Sequence, residues 1–152
     1  MKIEVPKILE EIELGEYAPA LAGQQVLVWA NPDRPTRDAY TKATDNYLRQ
    51  LLVMDTQWQS RAKVVRRSKA TKKAADAEME AYQAQRAALK KVLNDEILAW
   101  WAGIWSQGDD PSTHWVLDEL QSLDETDPTF LLFLISKSDT MQKEHQAKQK
   151  KA

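Results

Sequence analysis

Apolar side chains recur at steps of three and four residues along the first half of the chain, and this spacing constrains the fold more than any other feature. It places side chains on one face of an α-helix. The helix should begin near Asp33, a capping residue, with Pro35 in its first turn. The stripe runs through Tyr40, Ala43, Tyr47, Leu51, Met54 and Trp58.

Three further helices are predicted after this one. A break near residues 66–72 separates it from a second long helix over about 72–106, which Arg86 and Glu96 interrupt on its apolar side. A short helix should begin at Ser112 or Thr113, and the last should begin at Pro128. The apolar seam of the second helix comprises Ala75, Met79, Tyr82, Leu89, Leu93 and Trp100.

Strand patterns occur only before residue 32. Ile12 and Leu14 alternate with acidic residues, and residues 25–30 are rich in β-branched and aromatic side chains. The sequence therefore predicts an α+β fold that is predominantly α, a β-hairpin followed by about four helices (ββαααα). We expect a hairpin unit over 1–32, a helical domain over 33–148 and a lysine-rich tail over 143–152 that frays.

Composition argues against catalysis. The chain has no cysteine and only four glycines, so thiolate chemistry is excluded and material for phosphate-binding loops is scarce. Neither histidine, His114 or His145, has a second ligand at metal-binding spacing. The acidic clusters lack the spacing of a calcium loop. We therefore expect no enzyme, no metal and no cofactor.

Tryptophan is concentrated in one segment. Apolar residues between Ile97 and Trp105 cover about 160° of a helical wheel at about 100° per residue, more than one packing face requires. We predict that Trp101 and Trp105 are exposed and, with Leu98 and Trp115, form a partner-binding patch. An ordinary internal core is the alternative.

A basic run lies in the middle of the chain, where no acidic residue occurs between Asp55 and Asp76. It predicts salt-dependent binding to nucleic acid, or binding to an acidic protein. The alternative without a binding function is a solvated helix face, and no aromatic residue within the run offers a platform on which bases could stack. The run comprises Arg61, Lys63, Arg66, Arg67, Lys69, Lys72 and Lys73.

Three stretches resemble the tail-assembly chaperones of long-tailed phages and prophages. They are Ile12-Glu13-Leu14-Gly15-Glu16-Tyr17 with the following residues 26–32, the segment 100–106, and Thr113-His114-Trp115 leading to Asp127-Pro128-Thr129-Phe130. The resemblance implies a β segment followed by a helical domain without catalytic residues. It also implies a partner, the long helical tape-measure protein, which such chaperones hold during tail assembly.

The function expected from the sequence is therefore protein binding without catalysis. The expected partner is a long helical protein of the tape-measure kind, and a homo-oligomer stays open. A small nucleic-acid-binding or packaging accessory protein that uses the basic run is the alternative. No apolar run reaches the length of a signal peptide or a membrane span, so we expect the cytoplasm, that of the host if a phage encodes the chain.

Overall fold

The computed structural model describes residues 3–67 and 71–151, with side chains for 3–64 and 71–150. Two strands, β1 (Leu9–Glu13) and β2 (Gln25–Trp29), precede four helices. The order ββαααα and the predominance of helix, 75% of the structure, confirm the predicted fold class. The helices are α1 (Arg34–Arg67), α2 (Lys72–Ile104), α3 (Leu117–Thr126) and α4 (Pro128–Lys151).

The two strands pair antiparallel, with Ile12 opposite Val26. Alternate side chains point to opposite faces of a strand, and Ile12, Val26 and Val28 are buried on one of them. The first strand ends one residue earlier than the alternation predicts, because Leu14 begins a 3₁₀ turn, although its side chain stays buried. Within the described residues, no strand occurs after Trp29.

Both predicted helix caps are present. The Asp33 carboxylate accepts a hydrogen bond from the Thr36 N–H at 2.9 Å, and the Asp127 carboxylate accepts one from the Phe130 N–H at 3.2 Å. These bonds satisfy amide donors that have no partner inside the helix. Helix α1 is described to Arg67 and α2 from Lys72, and the predicted break near residues 66–72 falls largely outside the described residues.

The third helix begins later than predicted. Residues Pro111–Thr113 form only a 3₁₀ turn, and the chain is extended at His114 and again at Val116 before α3 starts at Leu117. The Asp110 side chain accepts from the Ser112 N–H at 3.0 Å and so caps the short turn instead of a long helix. In α4 the helix continues through Lys151 and includes most of the segment for which the sequence predicts fraying.

The chain forms two compact units that cut across α1 and α2. The sandwich unit, as we name residues 1–38 and 98–152, contains the β-hairpin, α3, α4 and short ends of α1 and α2. The predicted boundary at residue 32 separates the β-hairpin from the helices, whereas the sandwich unit contains both the β-hairpin and parts of the helical segment. In the sandwich unit α4 lies against β1, and Tyr17 contacts the rings of Phe130 and Phe133 at centroid distances of 5.1 and 5.3 Å.

The helical hairpin, as we name residues 39–97, is the second unit. Its two helices run antiparallel, because Asp55 of α1 pairs with Arg86 of α2 while Arg61, further along α1, pairs with Glu78, earlier in α2. Its buried apolar side chains are Ala43, Leu51 and Leu93. Two packed helices share only one face, so most of their surface meets solvent.

Candidate functional site

The predicted exposed pair of tryptophans is buried. Trp101 and Trp105 are each 1% exposed, and Leu98 is 3% exposed. The prediction of a surface patch at these residues is wrong. The two indole rings stack at a centroid distance of 5.3 Å, and the Trp105 Nε1–H donates to the buried Ser138 hydroxyl of α4 at 2.9 Å. The wide apolar arc predicted near the end of α2 is therefore covered by packing within the sandwich unit and is not exposed to a partner.

Trp115 lies at the edge of this core and is half-buried. Its ring meets Trp105 at a centroid distance of 6.4 Å, and its backbone exchanges two hydrogen bonds with the Ser106 hydroxyl, at 2.8 and 3.0 Å. The structure therefore brings together three of the predicted patch residues, Trp101, Trp105 and Trp115, as a core. Leu98 is buried on the same helix.

The basic run is only partly described. Arg61, Lys63, Lys72 and Lys73 are exposed, and the Arg61 guanidinium forms an ion pair with Glu78 at 2.8 Å. Lys69 and the side chains of Arg66 and Arg67 lie outside the described part of the chain.

A groove of about 300 Å³ lies along the helical hairpin, and we refer to it as the hairpin groove. Its floor contains the rings of Trp58 and Tyr82, which stack with centroids 4.6 Å apart and planes 11° apart. The Arg61–Glu78 ion pair lines one part of it. The lining residues are Met54, Gln57, Trp58, Arg61, Glu78, Ala81, Tyr82 and Gln85.

A polar network holds the groove's aromatic floor. The Tyr82 hydroxyl donates to Asp55, and the Arg86 Nε–H donates to the same carboxylate at 2.9 Å. Hydrogen bonds from Arg86 and from Tyr82 lower the pKa of Asp55, whereas the bond to Asp55 is the main cause that raises the pKa of Tyr82. Arg86, which interrupts the predicted apolar seam, is thus matched by a carboxylate from the opposite helix.

The hairpin groove was not predicted, although the sequence of α2 contains a signal for it. One row of α2, a single position before the apolar seam, repeats at steps of four and three and is rich in small side chains. Such a row lies beside the seam at about 100° around the helix. It comprises Ala74, Glu78, Ala81, Gln85, Ala88 and Val92.

Among its described side chains, the helical hairpin exposes six large apolar residues and buries only two, Leu51 and Leu93. Val92 and Leu52 are each 67% exposed, and Val53 beside the groove residue Met54 is 51% exposed. Contiguous exposed apolar patches mark interaction sites in soluble proteins. On the described part of this unit, the exposed large apolar side chains are Leu48, Leu52, Val53, Val64, Met79 and Val92.

The two units carry opposite net charge. Residues 39–97 contain twelve basic and seven acidic side chains, a net charge of +5. Residues 1–38 and 98–152 contain nine basic and sixteen acidic side chains, a net charge of −7. The overall charge of −2 conceals this asymmetry.

No cluster of metal-ligating side chains occurs among the residues that the structure describes. None of the described helices is long and apolar enough to cross a membrane. Comparison with protein-family models, with curated proteins and with solved structures finds no match for this chain.

Proposed function

We propose that this chain is a non-catalytic binding protein that holds an amphipathic helical segment of a partner in the hairpin groove. The observation that carries the proposal is the distribution of apolar surface. The helical hairpin buries few large apolar side chains and exposes many, and a preformed groove with an aromatic floor runs along it. An amphipathic helix recognises such a groove by placing its apolar face into it.

The small residues beside the groove suit close approach of a third helix. Ala81 lines the groove, and Ala74 and Ala88 lie one heptad before and after it on the same row. A repeat of about seven residues keeps a row facing a partner helix over several turns. Val53 and Val92 add exposed apolar side chains on the two helices. The partner segment would therefore place large apolar residues against small ones on α2.

Charge defines the chemistry of the partner. The helical hairpin has a net charge of +5, and seven of its twelve basic side chains lie between Asp55 and Asp76, an interval without an acidic side chain. Complementary charge speeds association and selects partners. We therefore propose an acidic amphipathic helix. The resemblance to phage tail-assembly chaperones supports a long helical partner of the tape-measure type as the protein that carries such segments.

The test uses the full chain and a fluorescent acidic amphipathic peptide of about 20 residues, with binding measured by anisotropy. Ala81→Glu places a bulky charged side chain in the groove, and we expect it to weaken binding by about tenfold or more. The matched control is Ala84→Glu, which adds the same group to the exposed side of α2 away from the seam.

Equal weakening by both variants would show that charge, and not the groove, determines binding. A basic peptide with the same apolar face should bind more weakly, and tighter binding of the basic peptide contradicts the proposal. Sedimentation of the free chain distinguishes a second copy of this chain as the occupant, because Ala81→Glu would then dissociate a homo-oligomer.

Nucleic acid is the second candidate, favoured by the net charge of +5 and by exposed Lys63, Lys72 and Lys73. Duplex and single-stranded DNA of about 20 nucleotides are titrated in parallel at two salt concentrations. Tight binding that falls steeply with salt and is unaffected by Ala81→Glu would favour this alternative.

A further inference from the structure

Among the residues that the structure describes, no strand lies beside the outer edge of β1, because the sheet consists of β1 and β2 alone. Two hydrogen bonds extend the pairing beyond its ends, from the Ala30 N–H to the Ile8 carbonyl at 2.8 Å and from the Leu14 N–H to the Gln24 carbonyl at 2.9 Å. Only alternate residues of an antiparallel pair turn their main-chain groups toward the other strand, so the even-numbered residues of β1 face β2. The odd-numbered residues, which face the open edge, are Leu9, Glu11 and Glu13.

This open edge continues past the strand to Lys7. The Asn31 side chain accepts from the Ile8 N–H at 2.6 Å and donates to the Pro6 carbonyl at 3.0 Å. The N–H and the carbonyl of a trans peptide point in opposite directions, and no described peptide bond is cis. The N–H and carbonyl of Lys7 belong to the same two peptides, so both point away from Asn31 and toward the open edge.

The outer edge of β2, in contrast, is engaged. Trp29, the residue opposite Leu9, turns its carbonyl away from β1, and this carbonyl accepts from the buried Gln142 amide of α4 at 3.1 Å. On the β1 side, Glu11 is exposed, Leu9 is 36% exposed, and Val5 is 71% exposed. A strand edge with unpaired main-chain groups is a template for another strand. The edge of β1 is therefore the one available for pairing.

We propose that β1 pairs antiparallel with β1 of a second copy of this chain, which joins two hairpins into a four-stranded sheet. Charge selects the register. With Leu9 opposite Leu9 of the second copy at the two-fold axis, Lys7 of each copy lies opposite Glu11 of the other. A register centred on Lys7 or on Glu11 would instead place like charges opposite each other. Opposite charges across a strand pair stabilise it, whereas like charges destabilise it.

The side chains that meet in this register lie on one face of the sheet. Alternate side chains of a strand share a face, which places Glu11 on the face of Leu9. The Lys7 ammonium lies 4.8 Å from the ring centroid of Trp29, the residue opposite Leu9, and therefore on that same face. It donates to Gln107, and because an ammonium has three donors, it can also donate to a carboxylate of the second copy.

The proposed contact is small, since it joins two short edge strands. Interfaces at the low end of the size range are weak, and we expect a dissociation constant of about 10–100 µM. The inference does not depend on the hairpin groove, because the residues that carry it belong to the sandwich unit.

The first test is sedimentation of the full chain between about 5 and 500 µM, the range that spans this constant. Glu11→Lys places lysine opposite lysine at both symmetric positions and should weaken dimerisation by about tenfold or more. Lys7→Glu should act in the same way. An equimolar mixture of the two variants restores opposite charges at both positions and should dimerise like the unmodified chain. The matched control is Glu125→Lys, which makes the same charge change at an exposed residue of α3.

The second test locates the contact by amide hydrogen exchange in the ¹⁵N-labelled chain at a low and a high concentration. The N–H groups of Lys7, Leu9 and Glu11 should exchange about tenfold more slowly at high concentration, because they become bonded to the second copy. Those of Glu10 and Ile12 face β2 in both states and should not change. Glu11→Lys should abolish the concentration dependence.

A chain that stays monomeric over the whole range would overturn the proposal. Exchange at Leu9 and Glu11 that does not depend on concentration, equal weakening by Glu125→Lys, or a mixture of the two folded charge variants that stays monomeric would do the same. Ala81→Glu should leave this dimer intact. Dissociation by Ala81→Glu and not by Glu11→Lys would assign self-association to the hairpin groove and overturn pairing through β1.

Discussion

The sandwich unit and the helical hairpin use the same kinds of side chain in opposite ways. In the sandwich unit, tryptophans with broad apolar surroundings become core, as Trp101 and Trp105 show. In the hairpin, Trp58 stacks on Tyr82 at the floor of an open groove. The difference lies in the number of packing layers, because a helix with neighbours on several sides buries a wide apolar arc, whereas two helices alone bury one face.

This contrast assigns different roles to the two units. The sandwich unit holds most of the buried apolar side chains, although Ile3, Val5 and Leu132 are exposed, and it carries a net negative charge. The helical hairpin leaves apolar side chains outside and carries a net positive charge. Stability should therefore depend mainly on residues of the sandwich unit, and association mainly on residues of the hairpin.

Truncating one tryptophan in each unit tests this contrast with the largest expected effect. Trp105→Ala removes a fully buried ring and its hydrogen bond to Ser138, and should lower the free energy of unfolding by about 3–5 kcal/mol. Trp58→Ala removes a half-buried stacked ring and should cost less, about 1–2 kcal/mol. Denaturant unfolding followed by circular dichroism measures both.

The binding assay supplies the reverse comparison. Trp58→Ala should weaken capture of the acidic peptide, whereas a folded Trp115→Ala variant of the sandwich unit should not. If Trp58→Ala destabilised the chain as much as Trp105→Ala does, the hairpin would be a core of the same kind and the comparison would fail.

The elements of this fold were predictable because their signals are local. Asp33 and Asp127 act as helix caps through residues only three positions away, and the alternation around Ile12 needs only one neighbouring strand. Where local signals compete, prediction is less accurate. The sequence predicts that the third helix begins at Ser112 or Thr113, but residues Pro111–Thr113 form only a short 3₁₀ turn, and α3 begins at Leu117.

The site was not predictable in the same way, because it depends on which element covers which face. A helical wheel shows that Trp101 and Trp105 lie on a wide apolar arc. It does not show that Ser138 of α4, thirty-three residues from Trp105, accepts a hydrogen bond from the Trp105 indole. The hairpin groove likewise depends on the register of α1 against α2, which sets Trp58 on Tyr82. The row of small residues through Ala81 was the one local hint.

Removing the hydrogen-bond acceptor of Trp105, the Ser138 hydroxyl, should have an intermediate effect on the free energy of unfolding. Ser138 is fully buried, accepts from the indole and donates to the Leu134 carbonyl at 2.7 Å. Ser138→Ala leaves the indole N–H buried without a partner, which should cost about 1–3 kcal/mol of unfolding free energy. Ser122→Ala, at an exposed serine of α3, should stay within about 0.5 kcal/mol.

Thermal and denaturant unfolding of the two serine variants give the comparison directly. Similar losses in both would mean that the Trp105–Ser138 bond contributes little and that packing alone holds the tryptophan core.

The smallest effect is expected at the polar network of the helical hairpin. The pKa of Asp55 is lowered mainly by hydrogen bonds from Arg86 and Tyr82, so the folded state binds this proton less readily than the unfolded state. A lowered carboxyl pKa contributes stability that is present above the unfolded value, about 3.9, and is lost as the pH falls through the lower folded value. Asp55→Asn should therefore reduce stability at neutral pH and converge with the unmodified chain in acid. Asp45→Asn, an exposed carboxylate of the same helix, controls for the change in net charge and should reduce stability less at neutral pH. The loss should be modest, because Asp55 and Arg86 both remain about one-third exposed and solvent weakens such pairs.

Unfolding curves between pH 7 and pH 3 measure the difference. Coincident curves for the two variants at pH 7 would show that the Asp55 network does not hold the hairpin, and that the register behind the groove rests on Trp58, Tyr82 and Leu51 alone.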